Sequence, residues 1–312
     1  MPLTDSLRHQ VDQLAWYHAI DLGDYQTAGR VSPPLPPNLT LFGVMDLLKD
    51  IDVNGLRCMD VGPAHGLISF GLALKGAEVS AINIGAGRGP HIPLIEQILD
   101  VRIDYHPGTS LEDARHSFPP ATFDLIVCAG VMYHLLNPAD AFFRLRPLLK
   151  RGGILIVETA FAAEPKEPVL VLNGVGGDLN QPTTYFLPSR SALEGLCRLA
   201  CFDVLATRVS SPSRFALAGR AVMPDEVNDR SPMTIRMHEN GFEDPMFDVT
   251  ALATAGSSPV RYRGPGGHES IDVMTYTPRF PPHPSVGKPQ LGRRFHVPGL
   301  TTGCGAANEP TV

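Results

Sequence analysis

The segment from Leu56 to Gly66 (LRCMDVGPAHG) constrains the fold of this chain more than any other part of its sequence. A short apolar run reaches Asp60 and then enters a turn made largely of small residues. Residues 67–75 have the composition of a helix, and residues 77–83 that of a second strand. This order predicts a β-α-β unit, whose first turn lets a ligand approach the backbone closely.

The alternation of strands and helices continues along the chain. Residues 121–129 are apolar enough for a strand buried on both faces of a parallel sheet. We predict an α/β, Rossmann-like fold with a seven-stranded, mostly parallel sheet and helices on both faces. Further helices are predicted at 4–15, 40–49, 92–99, 139–149 and 191–199, and further strands at 101–105, 153–158, 202–209 and 214–223.

The composition along the chain predicts three parts. Residues 1–50 are expected to form an N-terminal helical lid that precedes the first strand. Residues 51–223 are expected to form the ligand-binding domain. Residues 224–312 are rich in Pro and Gly with weak periodicity, which predicts a partly irregular C-terminal extension. We expect this extension to cover the ligand edge of the sheet or to contribute to a homodimer contact.

The charge and the composition favour some partners over others. The net charge of −6 argues against avid binding to nucleic acid, which usually needs a basic surface. The sequence has no apolar run of the ~18 residues that a membrane helix requires. An odd number of cysteines, five, favours a reduced cytoplasmic protein. Cys197 and Cys201 have no neighbouring Cys or His pair, so no metal site is expected.

The turn after the first strand resembles motif I of the class I S-adenosylmethionine (SAM) methyltransferases, through the spacing Asp-x-Gly-x-Ala-x-Gly. The dinucleotide-binding fingerprint matches less well, because its three glycines are absent from that register. The resemblance implies SAM as cofactor, with its amino acid portion over the turn and its ribose beside the end of the second strand. The implied cofactor-binding residues are Asp60, Gly62, Ala64, Gly66, Asn83, Ser110, Leu111 and Gly130. Asn83 departs from the family, which normally has Asp or Glu at that position.

Three further segments, 16–23 (WYHAIDLG), 123–138 and 185–189 (YFLPS), resemble the tRNA wobble-uridine (carboxy)methyltransferase family. The resemblance spans roughly residues 15–222. Enzymes of that family that use carboxy-SAM have a basic residue just upstream of a Leu-Phe-Gly-like segment. Residues 32–43 contain no Lys or Arg, although Tyr133 matches the family's tyrosine at the cofactor. The resemblance therefore favours ordinary SAM.

Methyl transfer requires an aligned acceptor and, for a protic acceptor, a base. His134 follows the fourth strand and is the first candidate base, with a structural imidazole bonded to a backbone carbonyl as the alternative. Tyr133 is expected to line the cofactor site or orient the acceptor. Glu158 ends the fifth strand, where it is either catalytic or a loop anchor. Tyr17, His18 and Tyr185 are the candidate lid and substrate residues, whereas His65 is expected to point to solvent.

These features predict a SAM-dependent methyltransferase that acts on a small molecule, as in specialised metabolism. One alternative is a tRNA wobble-uridine methyltransferase. Another is an enzyme that consumes the side chain of SAM and releases methylthioadenosine, to which the unusual Asn83 points. A non-catalytic SAM-binding module is the last alternative, and the preserved motif I and the Tyr133-His134 loop argue against it.

Overall fold

The computed structural model describes residues 3–30, 36–85, 89–173, 183–223, 226–227 and 256–271, and the backbone of residues 279–280 and 293–294. Most of the predicted C-terminal extension therefore lies outside the described residues. The described part of the chain contains seven α-helices and twelve β-strands.

Helices and strands alternate through the first two-thirds of the chain, as predicted. The helices are α1 (Asp5–Asp12), α2 (Phe42–Leu48), α3 (Leu67–Ala73), α4 (His91–Leu99), α5 (Leu111–Ser117), α6 (Pro138–Leu145) and α7 (Arg190–Leu199). The strands are β1 (Arg57–Val61), β2 (Glu78–Asn83), β3 (Asp104–Pro107), β4 (Phe123–Ala129), β5 (Leu149–Ala160), β6 (Leu170–Leu172), β7 (Phe186–Pro188), β8 (Phe202–Ser211), β9 (Arg214–Ala221), β10 (Gly267–Ser270), β11 (Arg279–Phe280) and β12 (Arg293–Arg294).

The central sheet has the strand order β10-β8-β9-β5-β4-β1-β2-β3. Strands β1 to β5 run parallel, and β9 is antiparallel to both β5 and β8. This confirms the predicted α/β, Rossmann-like class with all seven predicted strands. The sheet has eight strands rather than seven, because residues 267–270 of the extension pair in parallel with β8.

The sheet separates two hydrophobic clusters, because successive side chains of a strand point to opposite faces. On β4, Leu125 and Val127 join the cluster that contains residues of α2, α3 and α4. Ile126 and Cys128 join the other cluster, with residues of α5, α6 and α7. The predicted helices on both faces are therefore confirmed, and the uniformly apolar sequence of β4 follows from its burial on both sides.

Two predicted boundaries are wrong, and two features were missed. The third strand begins at Asp104 rather than at Val101. The sixth helix ends at Leu145 rather than at 149, because a short 3-10 turn containing Pro147 follows it and Leu149 already pairs with β4. Helix α5 and the hairpin of β6 and β7 were not predicted.

A buried ion pair joins the N-terminal part of the chain to the far end of the sheet. Asp46 of α2 accepts a hydrogen bond of 2.6 Å from Nε of Arg208 on β8. The Arg208 side chain is fully buried and also donates to the Tyr262 hydroxyl and to the Pro265 carbonyl, at 3.2 and 3.3 Å. The pair thus connects α2, β8 and the segment that leads into β10.

We expect Asp46→Asn to lower the free energy of unfolding by about 3–5 kcal/mol, because it removes the nearer and buried counter-charge of Arg208. The other carboxylate, that of Glu269, is 3.5 Å away and 47% exposed. Asp140→Asn is the matched control, since it removes the carboxylate of the partly exposed pair with Arg144 on α6. We expect that control to cost less than about 1 kcal/mol. Denaturant unfolding measures both, and equal losses would contradict the assigned role of Arg208.

Candidate functional site

A cleft of about 720 Å³ lies beyond the carboxyl ends of β1, β2 and β4. Strand β1 lies between β2 and β4, so the cleft is at the point where the strand order reverses, the usual ligand site of an open α/β sheet. Its volume is within the range of about 300–1,000 Å³ that is typical of small-molecule sites.

Most of the predicted site residues line this cleft. They are Asp60, Gly62, Ala64, Asn83, Gly130, Tyr133, His134, Glu158, Tyr17, His18 and Tyr185. Gly66, Ser110 and Leu111 do not line it. Among the residues that do, Arg214, Ile84, Thr40, Leu41 and Thr183 were not predicted.

The turn between β1 and α3 has an alternating backbone conformation. Gly62, Ala64 and Gly66 have φ angles of 71°, 50° and 91°, all in the left-handed region. A Cβ at Gly62 would lie 2.7 Å from Val131, and one at Gly66 would lie 2.7 Å from the Phe70 ring. Gly66 therefore serves the packing of the turn rather than the cleft surface, and Ala64 keeps the turn geometry despite replacing glycine.

Asp60 presents a buried carboxylate at the base of the cleft. It accepts a hydrogen bond of 2.6 Å from the Ser69 hydroxyl and is only 2% exposed. Burial raises the pKa of Asp60 to about 6, against the opposing hydrogen bonds from Ser69. A cationic ligand group beside this carboxylate would offset the cost of burying the charge.

The side of the cleft at the end of β2 differs from the prediction. Ser110 instead caps α5, where its hydroxyl and backbone bond reciprocally with Asp113. Ile84 borders the cleft next to Asn83 and is 78% exposed. Ser110 and Leu111, which were expected among the cofactor-binding residues, are thus absent from the cleft lining, and Ile84 offers an apolar surface there.

His134 lies on a 3-10 turn directly after β4 (Met132–His134). Its Nδ1 is 2.7 Å from the Thr183 carbonyl oxygen, to which only a protonated ring nitrogen can donate. In the neutral ring, Nε2 then carries the lone pair. The two predicted roles of His134 are therefore compatible, because one ring nitrogen anchors the side chain and leaves the other as a base.

Glu158 is paired with an arginine that sequence reasoning missed. Arg214 of β9 donates to both of its carboxylate oxygens, at 2.7 and 2.8 Å. Burial raises the pKa of Glu158, although the Arg214 guanidinium opposes this. Because both oxygens are engaged, the geometry favours the anchoring alternative for Glu158 over the predicted catalytic role.

Arg214 also brings a positive charge to Tyr133, since its guanidinium carbon lies 5.0 Å from the centre of that ring. Residues 32–43 contain no Lys or Arg and supply no basic group. Arg214 supplies one from β9, where it pairs with Ala160 close to Glu158. The charge of Glu158 balances it, so the two side chains together are neutral.

The N-terminal segment and the β6–β7 hairpin complete the cleft. The backbone N–H of Tyr17 donates to Nδ1 of His65 at 2.9 Å, so His65 is buried beneath this segment and the prediction that it points to solvent is wrong. The backbone N–H of Tyr185 donates to the Tyr133 carbonyl at 2.8 Å. Tyr17 and Tyr185 keep 40% and 38% of their surface exposed.

Two further features are absent from the described residues. No group of three or more His, Cys, Asp and Glu side chains there is arranged to hold a metal ion. No helix in the same part of the chain has the length and hydropathy needed to cross a membrane.

Comparison with known families gives a direct match. The family model described as a methyltransferase domain matches residues 39–207, more than half of the 312-residue chain. The matched region includes the turn of Gly62 to Gly66, the Tyr133-His134 loop and Glu158, whereas Tyr17 and Arg214 lie outside it.

Two curated relatives illustrate the range of similar proteins. The ubiquinone biosynthesis O-methyltransferase of Marinobacter nauticus is 31% identical over 130 residues, covering 42% of this chain and 54% of the relative. The tRNA U34 carboxymethyltransferase of Shewanella sediminis is 31% identical over 206 residues, covering 65% of this chain and 61% of the relative. The chain thus spans about half to three-fifths of the length of these relatives.

A solved structure is also similar. The 1,6-didemethyltoxoflavin-N1-methyltransferase of Burkholderia thailandensis matches with a TM-score of 0.45 and 16% identity, over 54% of this chain and 72% of the other.

We expect Asp60→Asn to stabilise the ligand-free protein at pH 7 by up to about 3 kcal/mol. The pKa of Asp60 is about 6 in the folded protein and 3.8 without the fold. Ionisation of this carboxyl therefore lowers the free energy of unfolding as the pH rises between these two values. The gain should vanish near pH 3, where the carboxyl is protonated in both states. Unfolding at the two pH values measures this, with exposed Asp52→Asn as control, and a loss of stability at pH 7 would contradict it.

Proposed function

The chain belongs to the methyltransferase-domain family, and we propose that it transfers the methyl group of SAM to a small-molecule acceptor. The cleft carries this proposal, because its two sides have different chemistry. The small-residue turn and Asp60 form one side, and aromatic side chains from the lid, the Tyr133-His134 loop and the β6–β7 hairpin form the other. Such a cleft suits a cofactor and an acceptor placed side by side.

The residues on the first side fit the chemistry of SAM. Asp60 has a buried carboxylate for the ammonium group, and Gly62 lines the cleft without a side chain, beside the position of the amino acid portion. Asn83 would bond the ribose hydroxyls with an amide that both donates and accepts. Ile84 would contact the adenine ring through its exposed apolar side chain. SAM, when bound, supplies an electrophilic methyl group on its sulfonium.

The second side favours an uncharged, planar acceptor. Tyr17, Tyr185 and His134 present aromatic rings, and aromatic rings stack on other rings at little entropic cost. The charged pair Glu158 and Arg214 is internally balanced. The lining therefore lacks the excess charge that would select an ionic acceptor.

The chain's contribution to the reaction is alignment and proton transfer. Holding the acceptor in line with the methyl group is worth roughly 7–11 kcal/mol. His134 removes the acceptor proton through Nε2, while its Nδ1–H bond to Thr183 fixes the ring orientation and stabilises the imidazolium that forms. A base placed in this way contributes about 10²–10⁴-fold to the rate.

A nucleobase of RNA is the second candidate acceptor. The relatives named tRNA U34 carboxymethyltransferase favour it, because one of them aligns over 206 residues. The exposed rings of Tyr17 and Tyr185 also suit a stacked base. The net charge of −6 opposes it, since RNA binding relies on phosphate neutralisation.

Incubation of the protein with SAM, alone and with cell extract, tests the proposal through the sulfur product. S-adenosylhomocysteine that forms only with extract, and still forms after ribonuclease treatment, is the expected result. Loss of the product after ribonuclease treatment would instead indicate an RNA acceptor. Methylthioadenosine formed without extract would contradict methyl transfer and indicate an enzyme that consumes the SAM side chain.

We expect His134→Gln to lower the extract-dependent rate of S-adenosylhomocysteine formation by about 10²–10⁴-fold, because an amide cannot take the proton. The affinity for SAM should change by less than about threefold, since His134 acts on the acceptor. His116→Gln is the control, because His116 is exposed on α5 away from the cleft. An unchanged rate in His134→Gln would leave His134 a purely structural role.

A further inference from the structure

His65 connects the turn of the cofactor site to the N-terminal lid. It lies between Ala64 and Gly66, two of the residues with left-handed backbone in this turn. Its Nδ1 accepts a hydrogen bond of 2.9 Å from the backbone N–H of Tyr17. The turn that would contact a bound ligand therefore also binds the N-terminal lid, through His65.

A second histidine supports this connection. His91, at the start of α4, stacks on His65 with ring centres 4.0 Å apart and an angle of 5° between the ring planes. Its Nε2 donates to the Ala15 carbonyl at 3.1 Å. Trp16 packs edge-on against both imidazoles, with ring centres 5.7 Å from His65 and 4.8 Å from His91. Three consecutive lid residues, 15–17, are therefore held by the two rings.

The hydrogen bond from Tyr17 determines the protonation state and the tautomer of His65. Nδ1 can accept from Tyr17 only while it carries a lone pair, so the ring is neutral with its proton on Nε2. The backbone of Tyr17 is held on its other side as well, because its carbonyl accepts from Arg30 N–H at 3.1 Å. The side chains of Tyr17 and His18 line the cleft from this fixed backbone.

We propose that His65 is a positioning residue that closes the lid over the cofactor and thereby places Tyr17 and His18 for the acceptor. This inference rests on the proposed function, since it assigns the turn to SAM and the lid to the acceptor side. A ligand that orders the turn also orders His65 and strengthens the lid contact. Because the two equilibria are coupled, the factor by which SAM favours lid closure equals the factor by which lid closure raises the affinity for SAM.

Trp16 makes this contact directly measurable, because it is the only tryptophan of the chain. It is 6% exposed, and its indole N–H donates to the Val11 carbonyl at 2.8 Å. The fluorescence of the chain therefore reports on a ring that touches both histidines. Acrylamide quenching of this fluorescence measures how far the lid opens.

Two substitutions separate the hydrogen bond from the ring contact. His65→Phe keeps an aromatic ring beside Trp16 and His91 but cannot accept from Tyr17. His65→Asn removes the ring, while its amide oxygen reaches about the position of Nδ1 and can accept the same bond. The experiment measures acrylamide quenching of Trp16 with and without SAM, SAM affinity by calorimetry, and extract-dependent formation of S-adenosylhomocysteine.

We expect SAM to reduce Trp16 quenching in the wild type and in His65→Asn, and to have no effect on it in His65→Phe. Product formation should fall about tenfold in His65→Phe, because the lost hydrogen bond frees the lid, and should be largely retained in His65→Asn. If His65→Phe does not fold, His65→Leu replaces it, because like His65→Asn it lacks the ring but it cannot accept from the Tyr17 N–H.

The outcomes distinguish this inference from the proposed function. If the wild type binds SAM and forms product while His65→Phe matches it in quenching, SAM affinity and product formation, the positioning role is wrong and the proposed function stands. A loss in His65→Asn that His65→Phe does not show would assign the effect to ring packing and overturn the role of the hydrogen bond. Equal losses in the two variants would overturn it as well, because the acceptor kept in His65→Asn would then have restored nothing. A folded wild type that binds no SAM would overturn both.

Discussion

The turn between β1 and α3 is the constraint on which the rest of the site depends. Its alternating left-handed residues, Gly62, Ala64 and Gly66, bend the chain sharply enough to leave Asp60 at the base of the cleft. Side chains cannot be added at the two glycines without contacts of 2.7 Å. The turn also carries His65, so the cofactor side and the lid share one short piece of backbone.

A balanced ion pair leaves the acceptor side of the cleft without net charge. Arg214 and Glu158 form a bidentate pair beside Tyr133, which places two opposite charges in the cleft without a net charge. The exposed rings of Tyr17 and Tyr185 then dominate the surface that an acceptor meets. This arrangement is consistent with a neutral, flat substrate and with the anchoring of His134 through Thr183.

The sequence predicted local features well and distant pairings poorly. The β-α-β unit and most of the cleft residues follow from spacing, because strand ends of a parallel sheet meet at one edge. Arg214 was missed because its partner Glu158 is 56 positions away in the sequence and reaches it only through antiparallel pairing of β9 with β5. The buried position of His65 likewise depends on Tyr17, which is remote in sequence. Helix α5 was missed although Ser110 and Asp113 form a recognisable capping box.

A crystal structure of the chain with S-adenosylhomocysteine tests the central claim most directly. The account predicts the amino acid portion over the turn at Gly62, the ammonium group beside Asp60, the ribose at Asn83 and the adenine against Ile84. The lid bond between Tyr17 and His65 should be present in that complex. A ligand bound outside this cleft, or bound with its adenine at Tyr133, would contradict the account.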